Sequence, residues 1–291
     1  MTAGYLDRLA VRTATVRSVL CLGLDPDPET FPGGTSRDVR GLEAFCRMLL
    51  EAGLPSAAAV KANLAFFEAF GAEGLAVLER VRRAVPDDVP FIADAKRGDI
   101  GTTAARQAVA LFDRLGADAI TANPYLGSEA IAPLLERTDR FVYVLCRTSN
   151  PGAAELQDLV VEGTPDGAAR EPLFLRVARR ATGWGPGGTV GLVVGATAPG
   201  EMASIRRTAP GLAFLVPGVG AQGGEVGPVL EHGPATDAPA GRGAGGGLLV
   251  NVSRGIARAA STSSEGGSAR GPADALAAAA REWALRLPVL L

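Results

Sequence analysis

The chain reads as an α/β protein, a (β/α)8 barrel. Three observations predict that fold. Eight short apolar runs recur along the 291 residues, at 18–23, 57–61, 89–94, 119–122, 141–146, 190–194, 213–216 and 248–252. These runs are continuous rather than alternating, as parallel strands covered on both faces should be. Helical patterns lie between them, the order expected when each strand crosses over through a helix.

The elements follow in order. The run at 18–23 ends in Gly23 and leads into Leu-Asp-Pro-Asp-Pro. An open doubly wound sheet would place a glycine fingerprint there and would show fewer strands. Helical patterns at 38–51 and 65–83 flank the run 57–61, which ends in Lys61. The run 89–94 ends in Asp94 and is followed by a helical pattern at 103–115. Runs 119–122 and 141–146 enclose the pattern 129–137. Residues 153–188 carry extra material around a helical pattern at 171–181, before the run 190–194 and the pattern 201–208. After the run 213–216, residues 217–247 are rich in Gly, Pro and Ala and read as a mobile βα loop at the active face, its inserted part near 223–247. The last run, 248–252, precedes a short helix. A Ser/Gly-rich connection, 260–272, reads as flexible and leads to a final helix at 274–287. No domain boundary or repeat stands out, so residues 1–291 read as one barrel domain.

Composition narrows the function. The 47% hydrophobic content suffices for a large core. Net charge is 29 − 31 = −2, which excludes a general basic field for nucleic acid and leaves room for a local anion site. His232 is the one histidine, so neither a histidine-based triad nor a multi-histidine metal centre is available. Cys21, Cys46 and Cys146 have no metal-like spacing and read as thiols of a reducing cytosol. Asp7, Arg8, Arg12 and Arg17 interrupt the N-terminal region, so neither a secretory signal nor a membrane span is expected.

Chemistry gathers at strand ends. Asp94-Ala-Lys96-Arg-Gly-Asp99 closes one apolar run and Lys61 closes another. On a strand Asp94 and Lys96 point to one side, because side chains alternate with a period of two. Charges so placed are costly unless they pair or act on something. Asp25, Asn123, Ser149, Gln222 and Arg254 also fall at or just beyond such ends, where barrels carry their active sites. Loop-surface charge or interstrand ion pairing is the plainer alternative for Asp25 or Asp99 taken alone. Alternating Lys and Asp keep lysines protonated and aspartates ionised. Such a site suits proton delivery to a carbanion, and suits Schiff-base chemistry poorly, since that lysine must lose its proton. Gly218-Val-Gly-Ala-Gln-Gly-Gly224 and Ser253-Arg-Gly255 follow the last two runs, where barrels bind phosphate with backbone N–H groups and a short helix N-terminus. Arg254 would add a bidentate charged contact.

Asp94-Ala-Lys-Arg-Gly-Asp-Ile-Gly-Thr-Thr103 resembles the signature of the orotidine 5'-phosphate decarboxylases, in their longer bacterial (type 2) branch. Supporting pieces run in order from residue 18 to 258: Gly23-Leu-Asp-Pro26, Val60-Lys-Ala-Asn63, Asn123-Pro-Tyr-Leu-Gly127, Thr148-Ser-Asn-Pro-Gly152, Pro217-Gly-Val-Gly-Ala-Gln222 and Asn251-Val-Ser-Arg-Gly-Ile256. The resemblance implies a ribulose-phosphate-binding type of barrel. It also implies conversion of orotidine 5'-monophosphate to uridine 5'-monophosphate and CO2, the last step of UMP synthesis, without metal or organic cofactor. It assigns Lys96 as proton donor to C6, Asp94 to the departing carboxylate, and Lys61 and Asp99 to the charged network. Asp25, Lys61 and Thr103 match ribose contacts, Ser149 a pyrimidine contact, and Gln222, Ser253 and Arg254 the phosphate grip. In the family the second aspartate reaches a neighbour's site, which implies a homodimer sharing Asp99 and Thr103. Together with the thiols, the net charge and the N-terminal region read above, the expectation is a cytoplasmic enzyme with no nucleic-acid or membrane partner. The rivals are another phosphosugar-binding barrel (a lyase, aldolase or epimerase) and a non-catalytic nucleotide-binding barrel.

Overall fold

A computed structural model describes residues 4–163, 170–220, 222–265 and 271–290. Eight parallel strands close a barrel in chain order. They are β1 (Leu20–Leu24), β2 (Ala59–Asn63), β3 (Phe91–Arg97), β4 (Ala119–Ala122), β5 (Phe141–Arg147), β6 (Val190–Val194), β7 (Ala213–Val216) and β8 (Leu249–Val252). Closure is made by β8 against β1, with Cys21 opposite Asn251. Each expected apolar run supplies one strand, and the expected (β/α)8 barrel is what forms.

Two apolar clusters hold it. Outward strand residues such as Leu22, Val60, Phe91 and Val142 pack against the surrounding helices. Inward residues, among them Ile92, Phe141, Tyr143 and Leu215, fill the bore together with Tyr5 and Leu9. Those two belong to an N-terminal helix, Tyr5–Val16, that the sequence reading does not anticipate. Tyr5 stacks on Phe141 with ring centroids 4.7 Å apart, and its hydroxyl lies 3.2 Å from that of Tyr143. The N-terminal end of the barrel is therefore stoppered by aromatic rings.

Several expected elements form differently. The pattern 65–83 splits into helices Leu64–Glu68 and Gly71–Ala84. The pattern 103–115 becomes helix Gly101–Ala108 and then widens into a π turn, Val109–Arg114. Glu171 and Pro172 do not begin a helix; they pair antiparallel with Val160–Val161, and the helix spans Leu173–Ala181. Buried Glu171 is held there by Arg176 and Arg179 at 2.8 and 2.7 Å. The segment 217–247 is not one loop at the active face. It contains helix Val226–His232, after which the chain runs to the opposite end. There Gly243 packs on Ala10, and Gly245 packs on Thr13 and Val19. The N-terminal helix gives this glycine-rich tract a surface to cover. Of the connection expected to be flexible at 260–272, residues through Glu265 continue helix Arg254–Glu265, and 266–270 lie outside the described residues. The closing helix spans Pro272–Arg286. Among the described residues no helix is long and apolar enough to cross a membrane.

Candidate active site

The charged residues of β2 and β3 meet at the open end of the barrel. Lys61 Nζ lies 2.7 Å from Asp94 Oδ2, and Lys96 Nζ lies 2.6 Å from Asp94 Oδ1. One carboxylate thus bridges two ammonium groups. Lys61 is buried, with a side-chain exposure of 5%, whereas Lys96 at 48% faces the opening. Burial pulls the Lys61 ammonium toward neutrality, but Asp94 and Asp25 outweigh it and hold the group above its ordinary pKa. Burial likewise opposes ionisation of Asp94, and Lys61 and Lys96 overcome it to hold the carboxyl well below the usual carboxylate range. Asp94 is therefore a fixed negative charge in the physiological range.

β3 reaches this geometry through an irregularity. Between Ala93 and Arg97 its register against β4 shifts, and Lys96 adopts φ = 48°. A left-handed residue inside a strand carries strain, which persists only where surrounding contacts impose it. Thr121 on β4 supplies one such contact. Its hydroxyl accepts from the Lys96 backbone N–H at 2.9 Å and donates to Asp94 Oδ1 at 2.8 Å. Simple alternation along a strand would put Asp94 and Lys96 on one side. They do converge, though by way of this bulge.

A cavity adjoins the network. Asp25, Lys61, Asn63, Asp94, Gln222, Asn251, Ser253 and Arg254 line it, together with Pro217, Gly218 and Val219. Asp25 Oδ1 and Asn251 Oδ1 are buried and make no hydrogen bond among the described residues. Two orphan acceptors on one cavity suit the hydroxyl donors of a sugar. Arg254 opens the helix Arg254–Glu265, so its guanidinium and the helix N-terminus share one rim. Gly23 allows the close approach of that rim to β1, since a Cβ there would lie 1.8 Å from Ser253 Oγ. Gln222 and Ser149 both approach Gly218: a Cβ on that residue would lie 3.2 Å from Gln222 Oε1 and 3.0 Å from Ser149 Cβ.

Asp25, Lys61, Asp94, Gln222, Ser253 and Arg254 therefore come together on one cavity, Lys96 joins through Asp94, and Ser149 borders it. Two expected residues do not join. Asp99 Oδ1 accepts from the Ile100 N–H at 2.8 Å and makes no ion pair among the described residues. Thr103 is exposed on the first turn of helix Gly101–Ala108. Thr121 and Asn251 have no place among the expected site residues. A lone threonine in the otherwise apolar Ala119–Ala122 is the signal that marks Thr121. Among the described residues no group of three or more His, Cys, Asp or Glu could hold a metal ion.

The profile of the orotidine 5'-phosphate decarboxylase / HUMPS family matches residues 18–268. The chain belongs to this family. It is 48% identical over 253 residues to the orotidine 5'-phosphate decarboxylase of Thermomicrobium roseum, covering 87% of this chain and 86% of that protein. With the Verminephrobacter eiseniae decarboxylase it shares 42% over 291 residues, covering 99% and 97%. The solved structure of Leishmania donovani OMP decarboxylase superposes with a TM-score of 0.80 at 42% identity, covering 97% of each chain.

Proposed function

We propose that this chain decarboxylates orotidine 5'-monophosphate to uridine 5'-monophosphate and CO2. Within that reaction, Lys96 delivers the proton that replaces the carboxylate at C6. The observation that carries the assignment is the bridge of Lys61, Asp94 and Lys96 at the open end of the barrel, in a chain of this family. Breaking the bond between C6 and the carboxylate leaves its electron pair on C6. The Lys96 ammonium stabilises that charge as it develops, gives up a proton to C6, and recovers one from solvent. Asp94, held ionised between two lysines, lies beside the departing carboxylate as a fixed negative charge.

The remaining roles follow the cavity. Asp25 and Lys61 take ribose hydroxyls, Ser149 the pyrimidine, and Gln222, Ser253 and Arg254 the phosphate. The phosphate does not react, so its binding energy is available to order the charged network. Asp99 and Thr103, which do not join their own network, serve the neighbouring site of a homodimer. We assign the enzyme to the cytoplasm, as one barrel domain working without a metal or organic cofactor.

The test follows ultraviolet absorbance of the chelator-stripped protein with orotidine 5'-monophosphate. Conversion to UMP matched by CO2 release is expected. Absence of conversion by folded protein would redirect attention to other phosphosugars.

A further inference from the structure

Ser149 is seated from one side by glycines. A Cβ on Gly195 would lie 2.7 Å from Ser149 N, and one on Gly218 would lie 3.0 Å from Ser149 Cβ. The end of β6 thus presses against its backbone, and the end of β7 against its side chain. The other side is held by the inserted material after β5. Gln157 Oε1 accepts from the Thr148 N–H at 2.7 Å, and Gln157 Nε2 donates to Thr148 Oγ1 at 2.8 Å. With an incoming donor, the Thr148 hydroxyl turns its own proton to Asn150 Oδ1, 2.6 Å away. The next residue, Asp158, pairs with Arg147, at 2.8 Å to Nε and 3.1 Å to Nη2. Two consecutive side chains of the insertion therefore grip two consecutive residues of the β5 end, and Asn150 closes the grip beyond Ser149.

The gripping segment is itself anchored. Gln157 N–H donates to the Ala153 carbonyl at 2.8 Å. Phe174 N–H donates to the Gln157 carbonyl at 3.0 Å, and Leu173 N–H donates to the Leu159 carbonyl at 2.8 Å. Both latter donors sit in the first turn of helix Leu173–Ala181, whose unpaired amides need such acceptors. The Ser149 hydroxyl, by contrast, makes no hydrogen bond among the described residues.

We infer that Gln157 is a positioning residue that presets Ser149 for the pyrimidine, and that this is a task of the insertion. The inference rests on the proposed contact of Ser149 with the base. A group already held in place pays no ordering cost when the base arrives. Loss of the clamp should therefore weaken recognition of the base and spare recognition of the phosphate.

The experiment measures binding of UMP and of ribose 5-phosphate to the full chain by calorimetry, in wild type, Gln157→Ala, Ser149→Ala and the double variant. Gln157→Glu, which keeps the acceptor for the Thr148 amide, covers the case in which Gln157→Ala does not fold, and should show a smaller loss. Gln157→Ala is expected to weaken UMP about five- to tenfold and to leave ribose 5-phosphate unchanged. The double variant should lose little more than Ser149→Ala alone, because the two residues act on one contact. Equal losses on both ligands would reduce Gln157 to a structural brace and overturn the inference. So would undiminished UMP binding in Gln157→Ala and Gln157→Glu beside a loss in Ser149→Ala, which leaves the reading of Ser149 standing. Full UMP affinity in Ser149→Ala would overturn that reading and the clamp with it.

Discussion

Lys96 combines a left-handed backbone with an ammonium group that is half exposed and anchored to Asp94. Its carbon stem is what the bulge aims at the opening, so Lys96→Ala should abolish turnover while UMP still binds. Near-normal turnover in that variant would remove Lys96 from the chemistry. Thr121→Val deletes both hydrogen bonds at little change of volume. A hydrogen bond to a charged group is worth about 1.5–3 kcal/mol, so kcat should fall roughly 10- to 100-fold, and Thr121→Ser should restore most of it. A kcat within about twofold of wild type would show that Asp94 needs no help from β4. The charged pair also sets a pH signature. The folded-state pKa of Asp94 is depressed by its lysines, so its contribution is present above the unfolded pKa. It is lost as pH falls through the folded value. Urea unfolding should therefore show the wild-type advantage over Asp94→Asn shrinking below about pH 4. An advantage unchanged into strong acid would mean that ionisation of Asp94 contributes nothing to the fold.

At the scale of elements, strands were legible because burial on both faces leaves a plain apolar run. Ala119–Ala122, Val190–Val194 and Ala213–Val216 begin and end where the runs do. Helices were legible where one stripe is apolar, as in Val39–Gly53, and less so elsewhere. Tyr5–Val16 has Gly4 at its N-cap without a capping bond, and its buried face is only Tyr5, Leu9 and Thr13. Its anchor is the bore of a barrel assembled from distant segments, which no local pattern announces. The same holds for the tract after Val226–His232: glycine and proline read as a loop, and only the docked N-terminal helix makes it an ordered cover. Of the site, Lys61, Asp94, Lys96 and Arg254 were readable from charge at strand ends. Thr121 was not, because its role depends on register between β3 and β4. The helix that starts at Arg254 carries its own test. Arg254→Ala should weaken phosphate-bearing nucleotides by about 2–3 kcal/mol and leave the free nucleoside unaffected. Equal losses on nucleotide and nucleoside would place the phosphate elsewhere.

At the scale of the whole molecule, the stretch between β3 and the next helix looks outward. Asp99 makes no ion pair among the described residues, Thr103 is exposed, and Ile100 between them is 65% exposed. A proposed second copy would cover this stretch and draw Asp99 to its own lysines. Mixing inactive Lys96→Ala with inactive Asp99→Ala should then restore about a quarter of wild-type activity, because random pairing gives half the dimers one intact site of two. No recovery after demonstrated subunit exchange would confine each site to one chain. Inside each barrel the aromatic stack of Tyr5, Phe141 and Tyr143 fills the bore. Among the described residues the vessel therefore has a single doorway. Nucleotide enters through it, and the carbon dioxide released at C6 has no drain along the axis and leaves by the same route. Any motion of the loops after β7 and β8 thus acts as one valve for substrate, gas and product alike.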